Sequence, residues 1–147
     1  MALSIDIVAG GRAKNSSETE LALSYLERAR DAGRSLGFAS FTLKEVDERK
    51  PDAFPTDGFI VALDERGKSV ASAEFSRLLA KWRDAGEARV TFLIGGSDGL
   101  PAHAKTSARM TLAFGTQTWP HLLVRPMLAE QIYRAITILS GHPYHRE

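Results

Sequence analysis

Hydrophobic and polar positions divide the first third of the chain into two strands and a helix. Leu3 to Ala9 alternates apolar and polar side chains before two glycines, which predicts a strand that ends in a turn. Ser17 and Glu20 have the spacing of a capping box, so we expect a helix that begins at Ser17 and ends near Gly33. A second strand is expected within Ser40 to Val46.

Two short runs of apolar residues mark the middle of the chain. Phe59 to Leu63 and Val90 to Ile94 are continuous apolar segments, the pattern of strands buried on both faces of a parallel sheet. Between them, Ser72 is the expected cap of a helix that ends at Gly86. The segment from Asp47 to Asp57 is polar and contains two prolines, so we expect an irregular loop.

The C-terminal part repeats the order of helix and strand. A helix is expected from Pro101 to Met110, a short strand from Thr111 to Phe114, and a loop from Gly115 to His121. Apolar residues from Leu122 to Leu139 recur at spacings of three and four, which predicts a final helix that Gly141 ends. Strands that alternate with helices predict a single α/β domain, residues 1–147, with a mainly parallel sheet.

The amino-acid composition excludes some classes of function but does not indicate a particular one. The 147 residues carry a formal net charge of +1, which is too small to mark the whole surface for nucleic-acid binding, although a local basic patch remains possible. The absence of cysteine excludes disulfides and a cysteine nucleophile. The N-terminus lacks the features of a signal peptide, and no apolar run reaches membrane-spanning length, so we expect a soluble, cytoplasmic protein.

Three polar turns follow predicted strands, and they are the first candidates for a binding site. Asp64 to Lys68 is expected to end its strand, and Gly95 to Gly99 and Gly115 to His121 follow two others. Ligands of parallel α/β sheets bind beyond the carboxyl ends of strands, so a nucleotide-like cofactor would fit there. The glycines would equally serve a tight strand-to-helix turn. Their spacing matches neither the dinucleotide fingerprint nor the triphosphate loop.

The histidines allow several interpretations. His142 and His145 stand three residues apart, but without cysteines or a metalloprotease motif a solvated tail is favoured over a zinc site, and we expect no metal. His121, beside a helix start, is equally compatible with a local hydrogen-bonding role. Arg125 and Arg134 lie nine residues apart and are expected on opposite faces of the final helix.

Five segments taken together resemble one known family. The segments are Leu63–Lys68, Phe92–Leu100, Trp119–Arg125, Ala129–Ala135 and His142–Glu147. They resemble the RlmH family of the SPOUT class, bacterial methyltransferases that act on N3 of a pseudouridine in 23S ribosomal RNA of the large subunit. The resemblance spans essentially the whole chain, with Pro126 standing where an aliphatic residue is usual.

The resemblance implies a fold, a cofactor and partners that the residue pattern alone does not. It implies a trefoil knot near the C-terminus and a homodimer. Because the small net charge predicts weak binding to naked RNA, we expect the assembled ribosome as the substrate, and we expect no membrane partner. The resemblance also implies that S-adenosyl-L-methionine binds in the knotted loops. The positions carried over as cofactor-binding are Leu63, Gly96, Gly115, Thr116, Gln117, Thr118, Trp119 and Pro120.

The resemblance further implies that the tail of one subunit completes the active site of the other. The candidate catalytic residues are His121, Tyr144, His145 and Arg146. Arg146 would stabilise carbonyl oxygens of the base or a phosphate, His145 would remove or orient a proton, and Tyr144 would stack or form a hydrogen bond. The alternative is a ribosome-associated module that binds the cofactor without catalysis. A hydrolase of the α/β type is disfavoured because its nucleophile motif is missing.

Overall fold

A computed structural model describes residues 2–13 and 15–146 of the chain, so Glu147 of the predicted tail lies outside the described residues. Strands and helices alternate along most of this length. The strands are β1 (Leu3–Gly10), β2 (Phe38–Val46), β3 (Phe59–Ser69), β4 (Arg89–Ile94) and β5 (Met110–Ala113). The helices are α1 (Ser17–Gly33), α2 (Ser72–Asp84), α3 (Ala102–Ser107) and α4 (His121–Ser140), and a 3₁₀ turn covers Arg34–Leu36.

The five strands form one sheet in the order β2-β1-β4-β3-β5. Every pair of neighbouring strands is parallel. One row of the register crosses the sheet from Leu43 through Ile7, Phe92 and Val61 to Met110. The predicted α/β architecture with a parallel sheet is therefore confirmed.

The core lies mainly between one face of the sheet and α1, α2 and α4. Ile132 and Ile136 of α4 are fully buried against this face, as is Leu79 of α2. Full burial of such a side chain contributes about 1.5–3 kcal/mol. The opposite face has a smaller apolar cluster, in which Phe54 from the long loop and Ala104 of α3 cover the sheet.

Two helix caps differ from the sequence prediction. Ser16, and not Ser17, takes the N-cap position of α1, and its Oγ accepts a hydrogen bond of 3.1 Å from the backbone N–H of Thr19. The expected cap of α2 was also wrong. Ser72 is the first helical residue, and its Oγ donates to Oε1 of Gln131 at 2.7 Å. The hydroxyl of Ser72 thus joins α2 to α4 rather than capping its own helix.

The polar segment after Leu63 does not end β3, contrary to expectation. The register between β3 and β5 shifts between Leu63 and Lys68. Beyond this irregularity, Lys68 and Ser69 pair with Leu112 and Ala113. The polar residues therefore form a bulge within a longer strand, because β5 supplies pairing partners on both sides of it.

The C-terminal elements have shorter bounds than predicted. The helix expected to reach Met110 ends at Ser107, and β5 begins at Met110 and ends at Ala113. In α4, Pro126 lies in the second turn and is buried, and the helix continues past it. Gly141 ends α4 in the left-handed conformation with φ 76°, as the sequence predicts.

Candidate active site

The bulge of β3, the carboxyl ends of β4 and β5 and the first turn of α4 surround a cleft of about 510 Å³. Parts of the three polar segments singled out in the sequence, 64–66, 95–99 and 117–121, line this cleft together. The residues that line the cleft are 63–66, 94–100, 112–114 and 117–121 together with Lys105 and Val124.

The floor of the cleft is apolar. Leu63, Ile94, Leu100 and Leu112 are all buried and line it. Polar groups come from the surrounding turns. A cleft of this size, with an apolar floor and a few polar groups at its edge, is typical of sites for nucleoside-sized ligands.

The turn after β4 is packed too tightly for larger residues. The backbone N–H of Gly99 donates to the carbonyl oxygen of Gly96 at 3.0 Å, and Gly99 has a φ of 76°. A Cβ atom on Gly95 would lie 2.4 Å from the carbonyl carbon of Gly99. The glycines therefore make a tight turn, as one interpretation of this segment predicts, and the same turn forms one wall of the cleft. Ligand binding by this turn stays a prediction.

An ion-pair group closes one side of the cleft. Lys105 Nζ of α3 lies 2.9 Å from Oδ2 of Asp64, and the backbone N–H of Arg66 donates to Oδ1 of Asp64 at 2.9 Å. Burial raises the pKa of Asp64, but the hydrogen bonds from Arg66 and Lys105 outweigh burial and lower this pKa from 3.8 to about 2. Asp64 is therefore a carboxylate at neutral pH, and it ties the bulge of β3 to α3.

The loop before α4 folds back over the opposite side. Trp119 Nε1 donates to the carbonyl oxygen of Phe114 at 2.8 Å, and Thr118 Oγ1 donates to the carboxylate of Glu65. The indole ring of Trp119 stays 40% exposed beside the cleft. An aromatic face is thus available to a ligand at this edge.

Most of the predicted cofactor-binding positions lie at the cleft. Those that line it are Leu63, Gly96, Gln117, Thr118, Trp119 and Pro120, and the catalytic candidate His121 lies beside them. Gly115 instead lines a second cavity of about 270 Å³ between β5 and helices α2 and α4. Thr116 is exposed and is not among the residues that line the cleft, as the described residues define it. Cofactor binding by these residues stays a prediction.

The C-terminal tail packs on α4 of its own chain. Tyr144 donates from its hydroxyl to Oε2 of Glu130 at 2.7 Å, and its ring meets the ring of Tyr133 edge-on with centroids 4.7 Å apart. His145 Nδ1 lies 3.1 Å from Nη1 of Arg134. Burial, followed by the hydrogen bond to Glu130, raises the pKa of Tyr144, which keeps the phenol neutral.

The tail and the cleft are separated along the final helix. Glu130, which holds Tyr144, follows His121 by nine residues of α4, which corresponds to about 13 Å along the helix axis. Arg146 is exposed beyond this contact. The structure thus brings His121 to the cleft and keeps the other three catalytic candidates apart from it within one chain.

Sequence analysis missed two residues that shape this region. Glu130 stands four residues before Arg134, the spacing of a helical ion pair, and that spacing is a signal that was available. Lys105 gave no local signal, because its partner Asp64 lies on a different element. Among residues 2–13 and 15–146, no three His, Asp or Glu side chains are grouped so that they could hold a metal ion. No helix in this part of the chain is long and apolar enough to cross a membrane.

Fold and cleft define a class: a parallel α/β protein with a nucleoside-sized cleft at the carboxyl ends of its strands. A family model described as "Predicted SPOUT methyltransferase" matches residues 3–145. The chain belongs to this family of SPOUT methyltransferases, as its resemblance to the RlmH family led us to expect.

Relatives match over nearly the full length. The chain is 48% identical to "Ribosomal RNA large subunit methyltransferase H" of Phenylobacterium zucineum, covering 97% of this chain and 99% of that protein. It is 45% identical over 157 residues to the protein of the same name from Bradyrhizobium diazoefficiens, covering 97% and 98%.

Solved structures agree in fold. A probable methylase family protein from Haemophilus influenzae aligns with a TM-score of 0.53 at 9% identity, covering 99% of this chain and 70% of that one. A probable methyltransferase from Bordetella pertussis aligns with a TM-score of 0.52 at 14% identity, covering 90% and 93%. At these identities the likeness concerns the fold alone.

Proposed function

We propose that this protein uses S-adenosyl-L-methionine to methylate N3 of a pseudouridine in large-subunit ribosomal RNA. The observation that carries the proposal is the convergence of three turns on one cleft, 63–66, 95–99 and 117–121, in a member of the SPOUT methyltransferase family. Relatives that are 45% and 48% identical and carry the name of a ribosomal RNA large-subunit methyltransferase support the substrate class.

The cleft fits the proposed cofactor in size and chemistry. Its apolar floor suits a purine ring, and the backbone of the glycine turn and of the loop before α4 offers polar groups to the ribose and amino-acid parts. The residues proposed to hold the cofactor in this cleft are Leu63, Gly96, Gln117, Thr118, Trp119 and Pro120, and Gly115 and Thr116 begin the loop that carries the last four of them. When bound, the cofactor supplies an electrophilic methyl group that is carried on a sulfonium. The rest of the cofactor then leaves as a neutral thioether.

The protein's task in this reaction is to align N3 and to accept its proton. The imide N3 gains the methyl carbon in an in-line displacement and loses its proton to a base on the protein. We assign that base to one of two histidines, His121 at the cleft or His145 in the tail. Arg146 would stabilise the negative charge that develops on the carbonyl oxygens of the pseudouridine as N3 loses its proton. Tyr144 would orient the pseudouridine ring.

The separation of tail and cleft supports a composite site. Because Tyr144 is held about 13 Å along α4 from His121, the tail would reach the cleft of a second copy rather than its own. We therefore propose a homodimer in which the tail of each subunit, held on its own α4, completes the cleft of the other subunit. The trefoil knot implied by the family resemblance stays a prediction.

The small net charge favours a structured substrate. Neutralisation of phosphates by Lys and Arg supplies most non-specific affinity for RNA, and a chain with a formal charge of +1 offers little of it. We propose the assembled ribosome in the cytoplasm as the substrate, since the shape of a ribosome can supply contacts that naked RNA lacks.

The test is transfer of labelled methyl from S-adenosyl-L-methionine to ribosomes from cells that lack the modification. The full chain is compared with a chain that ends at Gly141, and circular dichroism checks that both are folded. We expect label at N3 of one pseudouridine in the large-subunit RNA with the full chain and at least a hundredfold less with the shortened chain.

The alternative, a ribosome-associated module without catalysis, gives a different result. That module would bind the cofactor, measured by calorimetry, but would transfer no label from the folded full-length chain. A full chain that neither binds the cofactor nor transfers methyl would refute both the proposed methyltransferase and the non-catalytic binding module.

A further inference from the structure

The tail is held by one carboxylate on α4. Glu130 accepts two hydrogen bonds from the guanidinium of Arg134, from Nε to Oε1 at 3.2 Å and from Nη2 to Oε2 at 2.5 Å. Its Oε2 also accepts the hydroxyl of Tyr144 at 2.7 Å. The exposed fraction of the two charged side chains is 24% for Arg134 and 18% for Glu130, so solvent only partly screens this pair.

The bidentate contact fixes the plane of the Arg134 guanidinium. In this orientation the guanidinium lies over the ring of Tyr144, with Cζ 4.8 Å from the ring centroid. Its third nitrogen, Nη1, points to Nδ1 of His145 at 3.1 Å. Glu130 therefore contacts Tyr144 directly and reaches His145 through Arg134.

The contact with Arg134 determines which nitrogen of His145 carries the proton. A guanidinium can only donate hydrogen bonds, so Nδ1 of His145 must accept. A neutral imidazole whose Nδ1 accepts has its proton on Nε2. In this arrangement the proton of His145 lies on Nε2, and Nδ1 is already occupied by a protein donor.

We propose that Glu130 is a positioning residue for methyl transfer, which orders the tail and presents His145 as the tautomer with its proton on Nε2. This inference rests on the proposed function. With Nδ1 occupied by Arg134 and the proton on Nε2, the neutral ring of His145 has no nitrogen left to accept the N3 proton. That role then falls to His121 at the cleft.

The first test reads the tautomer without any reaction. Nitrogen-15 NMR of the imidazole of His145 in the full-length wild-type protein distinguishes a protonated from an unprotonated Nδ1. We expect an unprotonated Nδ1 in the wild type. In Glu130→Gln, we expect the shifts of both ring nitrogens to move towards those of a mobile, exchanging imidazole. A wild-type His145 that carries its proton on Nδ1 would overturn the proposal.

The second test separates positioning from binding. Glu130→Gln keeps the size of the side chain and one acceptor oxygen but loses the negative charge. Tyr144→Phe removes the hydroxyl that donates to Glu130. Because a hydrogen bond to a charged group is lost, we expect kcat on ribosomes to fall about tenfold in Glu130→Gln. The dissociation constant for S-adenosyl-L-methionine should stay unchanged. The control is Glu27→Gln, an exposed carboxylate on α1, which should match the wild type.

The double variant distinguishes an effect through the tail from a general loss of stability. If Glu130 acts through Tyr144 and Arg134, the effects of Glu130→Gln and Tyr144→Phe on kcat will be less than multiplicative. Fully multiplicative effects, an unchanged kcat in folded Glu130→Gln, or a raised kcat would overturn the positioning role. A wild-type protein that transfers no methyl would refute the proposed function and the catalytic role of Glu130, while the NMR result would still decide the tautomer.

Discussion

Arg125 and Glu45 form an ion pair that joins the last helix to the second strand inside the protein. Nη1 of Arg125 lies 2.5 Å from Oε2 of Glu45, and the side chain of Arg125 is 0% exposed. Nη1 also donates to Oγ1 of Thr19, and Nη2 donates to the carbonyl oxygens of Gly10 and Gly11. One guanidinium thus connects the first turn of α1, the ends of β1 and β2, and the start of α4 next to the cleft.

Replacement of Arg125 by methionine should destabilise the protein strongly. The change removes the guanidinium from the carboxylate of Glu45, which is 10% exposed, and from the carbonyl oxygens of Gly10 and Gly11. A buried ion pair that loses one partner costs about 3–5 kcal/mol. Urea unfolding followed by circular dichroism would measure the loss. The control is Arg77→Met, because Arg77 is exposed on α2 and its change should cost less than about 0.5 kcal/mol. A loss below 1 kcal/mol in Arg125→Met would contradict the role of this pair.

The glycine turn should tolerate alanine at one position and not at its neighbour. In Gly95→Ala the new Cβ would meet backbone atoms of Gly99 at 2.4 Å, and backbone cannot move away without opening the turn. In Gly96→Ala the Cβ would meet the carboxylate of Glu48 at 2.0 Å, the far end of a flexible side chain. We therefore expect Gly95→Ala to lose more than tenfold in affinity for S-adenosyl-L-methionine, with a smaller loss in Gly96→Ala.

A second substitution checks this contrast. Glu48→Ala should restore affinity to Gly96→Ala but not to Gly95→Ala, because it removes the clash of only one of them. Calorimetry gives the dissociation constants, and Ser35→Ala, an exposed change in the 3₁₀ turn that does not line the cleft, serves as control. Equal losses in the two glycine variants, or a rescue of Gly95→Ala, would show that the turn adapts in another way.

Trp119 should report binding at the cleft. Its indole is 40% exposed and lines the cleft, whereas Trp82, the other tryptophan, is 6% exposed in the core. Addition of S-adenosyl-L-methionine should shift the fluorescence maximum to shorter wavelength, because a bound ligand removes water from the indole of Trp119. Trp119→Phe should abolish this shift while calorimetry still detects binding. A shift that persists in Trp119→Phe would place the ligand near Trp82 instead.

The sequence predicted most elements of the fold, because they follow from local patterns. Apolar runs from Phe59 and from Val90 marked buried parallel strands, and the polar segments behind them were the first candidates for a binding site. It misjudged features that depend on distant partners. The length of β3 was one of these, because Lys68 and Ser69 pair with β5 only across a bulge.

The same limit explains what was missed at the site. The helical spacing of Arg125 and Arg134 predicted opposite faces, and the structure agrees, since one guanidinium is fully buried and the other holds the tail. The sequence did not show that Arg125 is buried, because its partners Glu45, Gly10 and Gly11 come from far along the chain. Burial of a charge is decided by long-range packing, which periodicity does not encode.

Asp64 should stabilise the protein at neutral pH and lose this effect only in strong acid. Its pKa is about 2 in the folded protein against 3.8 for an ordinary aspartate, because the hydrogen bonds from Arg66 and Lys105 outweigh burial. A carboxyl with a lowered folded-state pKa contributes its full stabilisation above the unfolded value and loses it as the pH falls through the folded value. Asp64→Asn should therefore be less stable than the wild type by a constant amount above pH 4, and the difference should shrink between pH 4 and pH 2.

Chemical unfolding at several pH values measures this difference in the free energy of unfolding, with Asp98→Asn, at an exposed residue of the glycine turn, as control. A difference that already shrinks above pH 5, or one that stays constant down to pH 2, would mean that Lys105 and Arg66 do not hold this carboxylate in solution.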